Sequence, residues 1–227
     1  AGLAATLDDF AQMARAAIVL FEATGKEGYL AAARGWVGAA EPLWDEAHGG
    51  YHTALRADLP DLPPLKLAAD SGLPSGNGAM ADILVRLFHL TGDPALATRA
   101  ERTVKVFFGT ARLDPVQSGG LLNAADTLLG AVQIVIVGDR ALEDTRVLLQ
   151  TVWRTALPGR VVQVVAPGAV LPESHPARYK TQEDGRATAY VCVGTICSLP
   201  ATADRDAAEI MLAMRATRAE ARTKTIP

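Results

Sequence analysis

Two stretches of the chain, FEATGKEGYLAAARGWV (Phe21–Val37) and FHLTGDPALATRAERTV (Phe88–Val104), repeat one pattern at an offset of 67 positions. Phe21 aligns with Phe88, Thr24 with Thr91, Gly25 with Gly92, Ala33 with Ala100 and Val37 with Val104. A repeat of this length predicts a supersecondary unit used more than once. Each copy places Thr-Gly between two runs with helical periodicity, so each predicts a helical hairpin turning at a glycine.

Working outward, Leu7, Phe10, Ala14, Ala17, Ile18 and Phe21 recur at spacings of three and four and predict a helix over 6–23. Leu30, Ala33, Trp36, Val37, Ala40, Leu43 and Trp44 extend a second one over 27–45, stopped by Gly49-Gly50. In the second copy Met80, Ile83, Leu84, Leu87 and Phe88 precede Gly92, and Asp93-Pro94 supplies an N-cap followed by proline in the first turn. Leu96, Ala100, Val104 and Phe107 mark the fourth helix, and 121–129 begins a further hairpin.

After Gly130 the period and the residue types change. VQIVIVGD is β-branched and reads as a buried strand. A helical face of Leu142, Leu148, Leu149, Val152 and Trp153 follows, then RVVQVVAP as a parallel partner in a βαβ unit. ATAYVCVG is a third strand, 166–185 a surface loop, 204–214 a closing helix and ARTKTIP a frayed end. The expected fold is therefore mainly α with a small α/β element: residues 1–130 as a helical-hairpin region and 131–227 as a βαβ-containing C-terminal element.

Composition excludes several function classes. Of 227 residues 49% are hydrophobic and 21% charged, enough for a buried core, and alanine, the best helix former, is the commonest residue. The formal charge of −3 and the lack of a basic run argue against nucleic acid. No apolar run approaches the ~20 residues that cross a bilayer. The chain begins without Met or a leader pattern, which reads as a piece of something longer. Two cysteines, Cys192 and Cys197, are too few for a disulfide scaffold, so the expected compartment is the cytoplasm; a strand followed by a turn at Gly194 would bring the two close, and against that pairing stands the commoner state of two free buried thiols. VIVGD lacks G-x-G-x-x-G, and no cofactor is expected. His48 and His52 are separated by Gly49-Gly50, which breaks the helix their spacing would need, so no metal is expected either. His89 and His175 carry no sign of a role, and Lys66 and Lys180 read as solvated surface.

The offset superposes Leu7-Asp8-Asp9-Phe10 on Pro74-Ser75-Gly76-Asn77, so both motifs should lie on one rim. Helix N-termini and glycine-lined backbone favour oxygen-rich small molecules. Asp8, Asp9 and Asp70 are the candidate catalytic carboxylates, because glycosyl chemistry uses a pair of them. Tyr51, Ser75, Gly76 and Asn77 are the candidate ligand-binding residues. Against this stands the commoner role of Asp, Ser and Asn near helix starts, which is to cap unpaired N–H groups.

The order LDDF, WDEAHGGYHT, DSGLPSGNGA, LTGD, QIVIVGD and TAYVCVGTICSLPAT resembles the C-terminal region of the spermatogenesis-associated protein 20-like family of thioredoxin-domain proteins. PSGN (74–77), IVIVGD (134–139) and AYVC with the following C-S-x-P (189–200) carry most of it. The resemblance implies an (α/α)6 toroid similar to that of N-acylglucosamine 2-epimerases and several glycosidases, present here only in part. It implies no redox role here, since the thioredoxin-like domain is absent. Where the family has LDDY and PSGNS this chain has LDDF and PSGNG, each lacking a hydroxyl. Two functions are thus expected in competition: a sugar-like ligand bound or processed at the rim by epimerase- or glycosidase-like chemistry, or a noncatalytic assembly module. A partial toroid leaves apolar helix faces uncovered, so a homodimer or the missing N-terminal part of a longer protein is the expected partner.

Overall fold

The computed structural model describes residues 5–54, 64–194 and 196–225. The chain divides into two units, Ala1–Phe88 with Asp93–Leu128, and His89–Gly92 with Leu129–Pro227.

The first unit is helical. Helix α1 spans Leu7–Thr24 and α2 spans Glu27–Ala39. Helix α3 spans Gly76–Thr91 and α4 spans Pro94–Leu113. Helix α5 spans Gly119–Gly130. The ends keep the repeat: Thr24 and Thr91 close α1 and α3, Gly25 and Gly92 follow with φ of 70° and 78°, and α2 and α4 begin at Glu27 and Pro94, again 67 positions apart. The Gly25 N–H donates to the Phe21 carbonyl at 2.7 Å, and that left-handed conformation favours glycine. Asp93 caps α4 by accepting from the Ala95 N–H at 3.0 Å, with Pro94 behind it where no N–H is needed. Helix α1 buries Leu7, Ala11, Ala14, Ala17, Ile18 and Phe21, and the small alanines let it pack closely along α2.

The second helix is shorter than expected. It ends at Ala39, and Glu41–Leu43 forms a single 3-10 turn. Pro42 is the cause, since its ring would meet the carbonyl four residues back and it has no N–H to donate. The chain then turns tightly through Gly49 (φ 82°) and Gly50 (φ 74°), and Trp44 pairs with Tyr51 in an antiparallel bridge.

The second unit holds a four-stranded sheet of order β2-β1-β3-β4. Strand β1 is Val132–Val137 and β2 is Arg160–Val165, parallel to it after helix α6 (Glu143–Arg154). Strand β3 (Thr188–Val193) runs antiparallel to β1, and β4 (Ile196–Cys197) turns back on β3. All six residues of β1 are buried, because neighbours cover both its edges and helices α6 and α7 contact it. Ile134 and Ile136 pack with Leu148, Val152, Val162, Val191 and Met211 in one core.

Several details depart from the expectations. The closing helix α7 runs Asp204–Thr225, so 221–225 is helical. The segment 166–185 is not simply surface, for His175 and Ala177 are buried in it. His175 Nε2 lies 2.9 Å from the Leu90 carbonyl and 3.4 Å from Gln163 Nε2, and Nδ1 accepts from the Ala177 N–H at 3.1 Å. Cys192 and Cys197 are joined in a disulfide. The register explains it: the two residues are directly paired across β3 and β4, with Gly194 at φ 57° in the connecting turn, so the turn at Gly194 brings them together and the free-thiol expectation is corrected. Among the described residues no helix is long and apolar enough to cross a membrane.

Candidate functional site

An open cleft of about 460 Å³ lies at the N-terminal ends of α1 and α3. Its polar lining comes from Asp8 and Gln12 on α1, Thr53 after the glycine turn, and Ser71 and Ser75 ahead of α3. Leu7, Leu67, Leu73 and Pro74 supply an apolar wall.

Local chemistry fixes the walls. The Leu7 N–H, one of the unpaired donors at the start of α1, donates to the Thr53 carbonyl at 2.9 Å. The first turns of α1 and α3 touch so closely that a Cβ on Gly76 would lie 2.8 Å from Leu7 Cγ and 3.1 Å from the Asp8 backbone nitrogen. Ser75 caps α3: its hydroxyl accepts from the Gly78 N–H at 3.2 Å and donates to the Ala68 carbonyl at 3.0 Å.

The three carboxylates have different surroundings. Asp8 is exposed and faces the cleft. Asp9 lies outside the lining and accepts from the backbone N–H and the hydroxyl of Thr6, at 2.8 and 2.9 Å. Those two hydrogen bonds, the backbone one first, hold its carboxyl below the usual carboxylate range. Asp70 uses both oxygens inside the protein, Oδ1 accepting from the Ser75 N–H at 2.9 Å and Oδ2 from the Gly120 N–H at 2.6 Å. It thereby supplies negative charge to the N-terminal ends of α3 and α5 and ties the turn before α3 to α5.

Asn77 and Tyr51 are fully buried and lie outside the lining. Asn77 Oδ1 accepts from the Tyr51 N–H at 2.8 Å, and Nδ2 donates to the carbonyls of Tyr51 and Leu67 at 2.9 and 2.8 Å. Burial pushes the Tyr51 phenol up to about 12, and its ring meets Trp44 edge-on at 5.0 Å. Of the seven sequence candidates, the cleft gathers Asp8, Ser75 and Gly76, while Asp9, Asp70, Tyr51 and Asn77 stand outside its lining.

Sequence reasoning missed Gln12, Thr53 and Ser71 as cleft residues, although Thr53 and Ser71 lie inside the stretches WDEAHGGYHT and DSGLPSGNGA. It also missed a charged cluster around Trp44, whose ring carries Arg99 at 4.7 Å and Arg102 at 4.9 Å on its faces. Arg99 pairs with Glu41 and Arg102 with Glu46. The one available signal was the spacing of Arg99 and Arg102, three apart on one helix face. Lys66 is not a solvated lysine: Nζ donates to Asp45 Oδ2 at 2.8 Å and to the Gly49 carbonyl at 3.0 Å. The Lys66 ammonium, followed by the His48 N–H, holds the Asp45 carboxyl well below the usual carboxylate range.

No family profile matches the sequence. Over 210 residues the chain is 31% identical to human spermatogenesis-associated protein 20, and over 203 residues 30% identical to the rat protein of that name. The mouse protein is 31% identical over 211 residues. Each match covers 86% of this chain and 26% of the relative, so the chain spans about a quarter of the length of the curated relatives it matches.

Proposed function

The chain belongs to the spermatogenesis-associated protein 20-like family, and from that premise we propose that its helical unit is part of an (α/α) toroid whose cleft binds a sugar-like small molecule. The observation that carries this reading is the cleft's composition: one exposed carboxylate, Asp8, set with Gln12, Thr53 and Ser71 among the apolar side chains of Leu7, Leu67, Leu73 and Pro74. Sugars present that alternation of hydroxyls and C–H faces, and sites for them combine a few placed polar groups with apolar surface. Hydrolysis by a carboxylate pair needs two free carboxylates. Asp9 is engaged with Thr6 and Asp70 with Ser75 and Gly120, so binding is the better supported activity, and any proton transfer falls to Asp8. A cytoplasmic location belongs to the same reading.

A thermal-shift screen of monosaccharides and sugar phosphates, followed by calorimetry on any hit, tests the proposal. The expected result is a stabilising ligand whose affinity falls about tenfold in Asp8→Asn, the size of one lost charge-assisted hydrogen bond. A screen without hits, or unchanged binding by Asp8→Asn, would refute it.

A second reading, an assembly module, is favoured by apolar side chains left in solvent. Met13, Val19 and Leu20 are 50%, 57% and 42% exposed on α1, and Phe108 and Leu113 are 47% and 89% exposed on α4. Exposed apolar area of this kind marks contact surfaces. On this reading size-exclusion chromatography with light scattering returns a dimer or larger species at micromolar concentration. A stable monomer under those conditions sinks it.

A further inference from the structure

We propose that Cys192 and Cys197 form a redox-active pair that undergoes reversible thiol–disulfide exchange, with Cys197 as the reacting sulfur and Lys180 as the cation that holds its thiolate. Three independent features of the second unit carry this.

The two sulfurs are unequal. Cys192 sits in β3 and is 3% exposed, whereas Cys197 is exposed in β4, the outermost strand of the sheet. Exchange requires in-line approach to a sulfur, so access selects Cys197, and an edge strand is where another chain reaches a sheet.

A cation is already placed. Lys180 Nζ lies 3.6 Å from Cys197 Sγ, within hydrogen-bonding distance for sulfur. It is held there by the Tyr190 ring, 5.3 Å away, and Tyr190 is itself fixed by donating its hydroxyl proton to the Thr181 carbonyl at 2.9 Å. Burial holds the Lys180 ammonium below the usual lysine range, and a thiolate appearing beside it would offset that cost. Lysine next to a cysteine is one of the arrangements that lower a thiol's pKa and raise its reactivity at neutral pH.

The scaffold also survives opening of the S–S bond. Beyond the cysteines, the Ser198 N–H donates to the Val191 carbonyl at 2.8 Å and Ala201 pairs with Ala189 in both directions, so the strand that carries Cys197 stays beside β3 without the covalent link.

The chemistry balances with a dithiol as co-reactant. Its thiolate attacks Cys197 Sγ, the Sγ–Sγ bond breaks, and Cys192 leaves with the electron pair and takes up the proton lost by the attacking thiol. The second thiol of the reagent then gives its proton to water, attacks the reagent's sulfur in the mixed disulfide, closes the reagent's own disulfide and releases Cys197 as a thiolate beside Lys180. Two electrons pass from dithiol to protein. The reverse direction, in which the Cys197 thiolate attacks a disulfide and Cys192 resolves the mixed species, reoxidises the pair.

The test uses the whole chain, dithiothreitol as reductant, oxidised glutathione as oxidant and iodoacetamide as probe. Peptide mapping after exposure to oxidised glutathione should find the 192–197 disulfide, and dithiothreitol should remove it while the far-ultraviolet dichroism is unchanged. In the reduced chain at pH 7, Cys197 should alkylate at least about tenfold faster than Cys192, Lys180→Met should slow Cys197 about tenfold, and Lys180→Arg should restore the rate to within about threefold. Equal rates for the two cysteines, an unchanged Cys197 rate in Lys180→Met, or failure of the pair to close in oxidised glutathione would overturn the proposal. The comparison of the two cysteines within the unsubstituted chain decides the matter even if a Lys180 variant folds badly.

Discussion

Asn77→Ala is expected to be the most damaging polar-to-alanine change in the helical unit. The amide makes three hydrogen bonds, two of them to the backbone of Tyr51, a residue with no exposed surface. Truncation leaves the Tyr51 N–H and carbonyl without partners and without water, at about 1–3 kcal/mol for each orphaned group. With the small void added, the loss is about 4 kcal/mol, a large share of the roughly 5–15 kcal/mol that holds a domain together. At about 4 °C per kcal/mol for a unit of this size, the melting transition followed by circular dichroism should fall by about 15 °C. Asn77→Asp should lie no higher, since it keeps the acceptor for the Tyr51 N–H but turns the two donations into repulsion between a carboxylate and carbonyls. A fall of less than about 3 °C in Asn77→Ala would contradict this account of the amide as the staple between Tyr51 and α3.

The second large effect is expected at Gly92, where the costs are steric. Its φ of 78° is left-handed, and a Cβ there would stand 2.3 Å from the Ser174 carbonyl oxygen and 2.6 Å from its carbon. Those are backbone atoms, and they cannot swing aside as a side chain would. Left-handed backbone costs roughly 1–2 kcal/mol for an L-residue and overpacking about 1–3 more, so Gly92→Ala should lose about 4 kcal/mol. Gly185 provides the control, with φ of 70° and nothing within 4 Å of the position its Cβ would take. Gly185→Ala should lose only the conformational part, about 1 kcal/mol. Urea denaturation of the two variants separates the contributions, and equal midpoints for both would show that the 174–175 segment does not press on Gly92.

These two residues also show what was legible in the sequence and what was not. Gly92 was read correctly as the turn of a hairpin from the Thr-Gly repeat, because a left-handed helix end leaves a local mark. Strands β1, β2 and β3 and helix α6 were readable for the same reason, as period and β-branching are local. The break at Pro42 was equally local and was overrun by the apolar spacing of Leu43 and Trp44, which continues in phase past a residue that cannot remain helical. Asn77 was singled out, but as a ligand residue, and its bonds to Tyr51 depend on how a distant turn packs. The same holds for Asp70, whose partner Gly120 lies far along the chain, and for Arg99 with Glu41. The turn at Gly194 that brings Cys192 and Cys197 close was legible, but their direct pairing needed the β3–β4 register. Within the cleft, Asp8, Ser75 and Gly76 were found because the repeat aligned two helix starts. Gln12, Thr53 and Ser71 stayed invisible because a lone polar residue facing a cavity looks like any other surface residue.

The position of β1 at the centre of its sheet also governs when the second unit becomes safe during synthesis. VQIVIV is a six-residue run of strand-forming residues without charge, the kind of segment that pairs with copies of itself when left open. Its parallel neighbour arrives only after a helix, and its antiparallel one still later, since Ile134 must wait for Val191. Both pairings are non-local and therefore slow, whereas the α1–α2 hairpin closes on neighbouring residues. A chain emerging from the ribosome thus exposes an adhesive strand for the time needed to make the following 50 or so residues, several seconds at roughly 5–20 residues per second. Yield of soluble protein should therefore be set by events at β1, and expression at lower temperature or with chaperones acts on that interval without altering the native fold.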